Sequence, residues 1–179
     1  MNKNKVLREI LDTVIYLAVV FVILILFITF VAQRTDVSGQ SMENTLQDGD
    51  SLLVDKLSYR FKDPERFDII IFEYQYGDEP CFIKRIIGLP GETVQIDYDG
   101  NIYINGEILE ESYGAEVIKD PGRAVDPITL GEDEYFVLGD NRNHSMDGRD
   151  YSVGNVSRDT IIGKAFIRIF PLDKFGWLN

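Results

Sequence analysis

Cysteine and histidine are almost missing from this sequence: each occurs once, as Cys81 and His144. An internal disulfide is therefore impossible, a thiolate metal cluster is excluded, and a histidine-based metal site is disfavoured. Basic charge is scarce too. Against 30 Asp and Glu stand 18 Lys and Arg, a net charge of −12, which argues against nucleic acid as a partner because phosphate binding needs a basic surface. Repeats and Pro/Ser-rich linkers are missing beyond residue 32, so 33–179 reads as one domain. What is present suffices for a core: 45% of the 179 residues are hydrophobic, with 11 Phe and nine Tyr.

The apolar residues are concentrated first in Val14–Ala32, 19 consecutive residues without a charge. As a helix this run is about 28 Å long, close to the ~30 Å hydrocarbon thickness of a bilayer. A buried core helix is the alternative, but it would usually carry a polar stripe, and none is visible. A cleaved secretion signal fits less well, since Phe30 stands where a small residue would be needed two positions before Ala32. The sequence thus predicts a cytoplasmic N-terminus over 1–13, a single transmembrane anchor over 14–32 and an extracytoplasmic domain over 33–179. Lys3, Lys5 and Arg8 precede the run and set that orientation. Residues 1–32 hold three basic and two acidic groups, leaving 15 basic and 28 acidic outside, a net of −13.

The exported part reads as mostly β. Leu52–Val54, Asp68–Phe72, Cys81–Ile87, Thr93–Tyr98, Asn101–Ile104, Glu134–Leu138 and Ile161–Phe170 are rich in β-branched and aromatic residues. Leu89-Pro90-Gly91, Asp99-Gly100 and Asn105-Gly106 mark turns between them. Short strands at this spacing predict an antiparallel, partly closed β domain. Outside the anchor, helical signal is confined to a short turn at 157–160. The acid- and glycine-rich stretch 106–133 is expected to be a solvated surface loop.

Three segments carry groups suited to chemistry. Ser41 follows Gly39 by two positions in Val37–Leu46, and glycine there lets backbone amides approach a ligand. An ordinary serine turn is the competing reading. Lys84 sits among Cys81, Phe82, Ile83, Ile86 and Ile87. Alternation puts it on the face of Phe82 and Ile86, with Arg85 opposite. Desolvation there would disfavour the ammonium and make the amine a general base; a lysine with its head in water is the alternative. The third segment, Gly139–Arg149, is a polar loop in which Asp147 and Arg149 suit an ion pair and Ser145 could orient an amine, or the loop is purely structural.

Together, and in this order, the segments resemble the type I signal peptidases, a family of membrane-bound Ser/Lys proteases. Ser38–Leu46, Arg66–Phe72, Phe82–Glu92 and Gly139–Arg149 carry the likeness behind one N-terminal anchor. The resemblance implies Ser41 as nucleophile and Lys84 as general base. It implies that Ser145 positions the lysine amine, that Asp140, Arg142, Asp147 and Arg149 support the active-site loop, and that the Ser41 amide serves the oxyanion. Val37, Gly39, Met42, Leu46, Leu52, Ile71, Phe82 and Ile83 match positions around shallow substrate pockets. Precursor proteins carrying signal peptides are the implied substrates, with the bilayer and the secretion machinery as neighbours, the cell membrane as location, and no cofactor.

Two positions depart from the family pattern: Asn44 replaces Pro and Gly148 replaces Ser. Both imply a looser site, since proline fixes φ and glycine frees it. A catalytically silent relative that acts as a binding or assembly factor for surface proteins is the competing reading. A soluble self-cleaving repressor domain fits poorly with the apolar run, and a relative using His for Lys fits poorly with His144, expected to face solvent in the last loop.

Overall fold

The three longest β-branched runs form the centre of the molecule. The computed structural model describes residues 3–30, 32–74 and 81–178; the side chains of 3–7, 26–30 and 32 fall outside the description. After α1 (Lys3–Phe30) come β1 (Ala32–Asp36), β2 (Ser51–Asp55), β3 (Ile69–Glu73), β4 (Cys81–Gly88), β5 (Thr93–Ile96), β6 (Ile102–Ile104), β7 (Glu107–Ile108) and β8 (Ile128–Thr129). They are followed by β9 (Glu134–Leu138), β10 (Val156–Ser157), β11 (Ile161–Phe170) and β12 (Gly176–Trp177). The larger sheet has the order β1-β2-β11-β3-β4-β9-β10, with β12 added to β11; the smaller one runs β7-β6-β5-β8. Every pairing is antiparallel.

The expected partial closure does not occur: β1 and β10 end the larger ladder without meeting, so both sheets are open. The physical reason lies in strand length. β10 has two residues and gives β9 only Val156↔Tyr135 and Ser157↔Glu134, too short an edge to carry the ladder round.

Three apolar clusters fill the domain. Ile70, Phe72, Phe82, Ile86 and Val137 form one; Ile87, Val94, Ile96, Phe136 and Leu138 join the two sheets; Val37, Met42, Leu46, Leu52, Ile69 and Ile71 lie beneath the segment that carries Ser41. Strand β4 contributes to all three, which explains its nearly unbroken apolar sequence.

Residues 106–133 are not a solvated loop. Asn105 and Gly106 both take positive φ, 53° and 84°, and close the tight β6–β7 hairpin, where Asn-Gly is favoured. Beyond it Ile118, Ala124 and Leu130 are buried in the core that joins the sheets. Their wide separation in sequence hides them from any periodicity.

No helix among the described residues is long and apolar enough to cross a membrane. The anchor expected over 14–32 is therefore not found there: the fully described part of α1, residues 8–25, includes Arg8, Glu9 and Asp12, and side chains 26–32 lie outside the description.

Strand β11 sits between β2 and β3, and Gly163 lets Asp55 come close. A Cβ at Gly163 would collide with the Asp55 carbonyl oxygen and lie 2.9 Å from Val54 Cγ1. Gly163→Ala is expected to destabilise the fold by about 1–3 kcal/mol, read as a lower urea midpoint at unchanged slope; an unchanged midpoint would show that the strands separate freely.

Candidate active site

Ser41 lies in the turn between β1 and β2. Met42 and Leu46 are buried and pin this turn to the core, while Glu43 N–H donates to Gln40 O and Leu46 N–H to Met42 O. Gly39 takes φ +87° and donates its N–H to Asp48 Oδ1 at 2.8 Å. Space is open around it, and its positive φ is a conformation that favours glycine.

Lys84 reaches this turn from β4. Its residue is 4% exposed, and Nζ lies 2.9 Å from Ser41 Oγ and 3.0 Å from the Ile83 carbonyl oxygen. The ring of Phe82 lies 4.8 Å from Nζ and is stacked in turn on Tyr74 at 4.2 Å.

Arg85, the next residue, points to the other side of the strand. Its guanidinium and the Asp140 carboxylate are completely buried and bind bidentately, Nε to Oδ1 at 2.9 Å and Nη2 to Oδ2 at 2.8 Å. It also donates to the Phe67 carbonyl oxygen at 2.9 Å and lies 3.7 Å from the Tyr113 ring centre. Asp140 Oδ2 accepts from Thr45 Oγ1 at 2.5 Å. The adjacent Asn141 donates its N–H to Ser41 O at 3.0 Å and its Nδ2–H to Gln40 O at 3.0 Å. From the third side, Arg168 Nη2 donates to Thr45 O at 2.8 Å. The turn is thus tied to the loop after β9 and to β11.

Within that loop Arg149 Nε lies 2.9 Å from Asp147 Oδ1, and Asp147 Oδ2 accepts Gly139 N–H at 3.0 Å. Arg142 donates to Gly139 O at 3.1 Å and pairs with Glu111 at 2.7 Å. Ser145 differs from expectation. Its Oγ is buried without a hydrogen-bond partner, so it does not hold the Lys84 amine here. Gly139 packs so closely that a Cβ on it would strike both Ser145 Oγ and Ser41 O.

Ser41 and Lys84 open into a cleft of about 540 Å³. Val37, Gly39, Met42, Ile71, Phe82 and Ile83, all expected there, line it. Leu46 and Leu52 do not; they are fully buried behind the cleft wall. Thr35, Asp36, Gln40, Cys81, Met146 and the exposed His144 also line it, without having been singled out from sequence for that purpose. Burial, and then nearby Glu73, raise the Cys81 thiol above its usual range and keep it protonated. Among the described residues no group of three or more His, Cys, Asp or Glu is placed to hold a metal ion.

Neither departure at Asn44 or Gly148 loosens the site in the way expected. Asn44 has φ +88°, a conformation that proline, fixed near −65°, cannot take. Gly148 is buried; a Cβ there would lie 2.8 Å from Val137 O and 3.1 Å from the Phe136 ring. Each residue therefore fits a locally tight backbone.

Residues 9–170 match the family model described as signal peptidase, peptidase S26. A signal peptidase I of Leptolyngbya laminosa is 43% identical over 158 residues, covering 84% of this chain and 75% of its own. A probable signal peptidase I-2 of Synechocystis is 42% identical over 156 residues, covering 84% and 69%. Signal peptidase IB of Staphylococcus aureus is 32% identical over 183 residues, covering 94% and 93%.

Asn44→Pro is expected to lower the thermal midpoint while Asn44→Gly leaves it nearly unchanged, because only the first forbids positive φ. Gly148→Ser should destabilise by about 1–3 kcal/mol through overpacking. Circular-dichroism melting of the three variants checks both, and a stabilised Asn44→Pro would overturn the backbone argument.

Proposed function

The chain belongs to the signal peptidase family, peptidase S26, and we propose that it is a serine endopeptidase that removes signal peptides from exported precursors with Ser41 and Lys84 as its reacting pair. The observation that carries this reading is the 2.9 Å separation of Lys84 Nζ and Ser41 Oγ at the wall of an open cleft. That distance is within proton-transfer reach without a bridging water. No step calls for a metal or organic cofactor.

In the proposed reaction an extended precursor segment lies in the cleft with small side chains facing Val37, Ile71 and Ile83; larger ones are excluded by the shallow floor, which Leu46 and Leu52 support from behind. The uncharged Lys84 amine takes the Ser41 proton as Oγ bonds to the scissile carbonyl carbon. The Ser41 N–H stabilises the resulting oxyanion. Lys84 then gives the proton to the leaving amine nitrogen, the C–N bond breaks, and the signal peptide remains esterified to Ser41. Water attacks the ester, passes its proton to Lys84, and the proton returns to Oγ as the acid leaves. Asp140, Arg142, Asp147 and Arg149 act as positioning residues through the loop that grips the Ser41 backbone.

We also propose that residues 14–32 form a membrane anchor, with 1–13 cytoplasmic and the β domain outside, near the secretion machinery. The exposed apolar side chains of Ile10–Ile25 support this: the large ones are 44–67% exposed. Aqueous surroundings would make that exposure expensive, whereas lipid would not.

Ser41→Ala and Lys84→Ala are each expected to reduce cleavage of a precursor with an Ala-x-Ala junction by at least about a thousandfold, with unchanged circular dichroism. Activity of the native chain should rise with pH as the lysine amine loses its proton, because only the neutral form accepts from Oγ. Full cleavage by either variant would refute the pair and favour a binding role. In fractionated cells the full chain should stay in the membrane pellet after alkaline carbonate washing; release into the wash would refute the anchor.

A further inference from the structure

The wall that carries His144 and Met146 into the cleft has a second side. Side chains alternate along it, so that His144 and Met146 line the cleft and Ser145 lines a separate cavity of about 460 Å³ behind it. Four cations border that cavity: Lys119, Arg123, Arg142 and Arg149. Three of them already face carboxylates, Arg142 with Glu111 at 2.7 Å, Arg149 with Asp147 at 2.9 Å and Lys119 with Glu116 at 3.3 Å, while Arg123 donates to Gly148 O and to the Asn155 side-chain oxygen. Two carboxylates, Asp120 and Asp150, also border it, but both are turned into their own loops, where they accept from Gly122 N–H at 2.8 Å and Ser152 N–H at 2.8 Å.

Two buried donors at this cavity have no partner. Arg142, 2% exposed, spends Nε on Gly139 O and Nη1 on Glu111, but Nη2 binds nothing; Ser145 Oγ also binds nothing. A buried, unsatisfied guanidinium nitrogen is destabilising unless an acceptor reaches it. Guanidinium groups in this number match the oxygens of a tetrahedral oxyanion better than those of any neutral ligand.

We propose that this cavity binds a phosphate-type oxyanion, free or as a lipid headgroup, on the rear face of the catalytic loop. The anion accepts from Arg142 Nη2 and Ser145 Oγ after a small adjustment of the loop, and Lys119 and Arg123 complete its charge neutralisation. Because Asn141 of the same loop holds Ser41 O, occupancy also tightens the turn that presents the nucleophile. Binding does not depend on the chemistry proposed for Ser41 and Lys84.

The test uses the full chain carrying Ser41→Ala in neutral detergent, so that the readout is binding alone. Inorganic phosphate, compared with chloride at equal ionic strength, is expected to raise the thermal midpoint by roughly 3–6 °C at about ten times its Kd. Phosphatidic acid doped into the micelles, compared with an uncharged lipid, forms the second arm. A shift with phosphate assigns the site to soluble anions, and a shift with phosphatidic acid alone assigns it to a headgroup. In both cases the shift must vanish in Arg123→Gln and fall severalfold in Lys119→Glu. Arg123 also donates to Gly148 O at 2.7 Å, whereas replacing the exposed Lys119 removes only a surface ion pair, with Glu116 at 3.3 Å. No shift in either arm, or a shift that survives Lys119→Glu, overturns the proposal.

Discussion

The buried bidentate pair between Arg85 and Asp140 is the interaction on which the site's geometry depends. It joins the central strand β4 to the loop that leaves β9, and both groups are removed from water entirely. Removing one partner of such a pair leaves a bare charge in the interior, at a cost of about 3–5 kcal/mol. The stabilisation it provides is local and directional. Through Asp140 it holds Thr45, and through the neighbouring Asn141 it holds the carbonyls of Gln40 and Ser41.

Strand pleat divides labour between two adjacent cations. Lys84 and Arg85 are consecutive, so they must point to opposite faces. One meets the hydroxyl at the cleft and the other meets a carboxylate in the interior. An arginine suits the second position because its fork binds both carboxylate oxygens and it remains charged when buried, whereas the first position faces a single hydroxyl that the compact lysine amine reaches at 2.9 Å. Exchanging the two would leave both positions wrong.

Much of this arrangement was legible in the sequence. The seven expected β runs all became strands within a residue or two, and six of the eight residues expected around the cleft line it. Alternation also assigned Lys84 and Arg85 to opposite faces. What escaped notice had weak or misleading local signals. Strand β1, Ala32–Asp36, reads AQRTD and carries no apolar alternation; its pairing with β2 defines it. The stretch after residue 106 seemed solvated because its three buried apolar residues are far apart. Asn44 and Gly148 seemed permissive, yet their roles follow from a positive φ and a close carbonyl, neither of which a single sequence displays. Closure failed for a reason of length, which composition does not encode.

The serine-bearing turn is held mainly by its main chain: the carbonyls of Gln40, Ser41 and Thr45 accept from Asn141 and Arg168. Oxygens of the backbone are the same whatever amino acid supplies them. The Gln40 side chain, which lines the cleft, can therefore be exchanged without breaking the bonds that hold the turn.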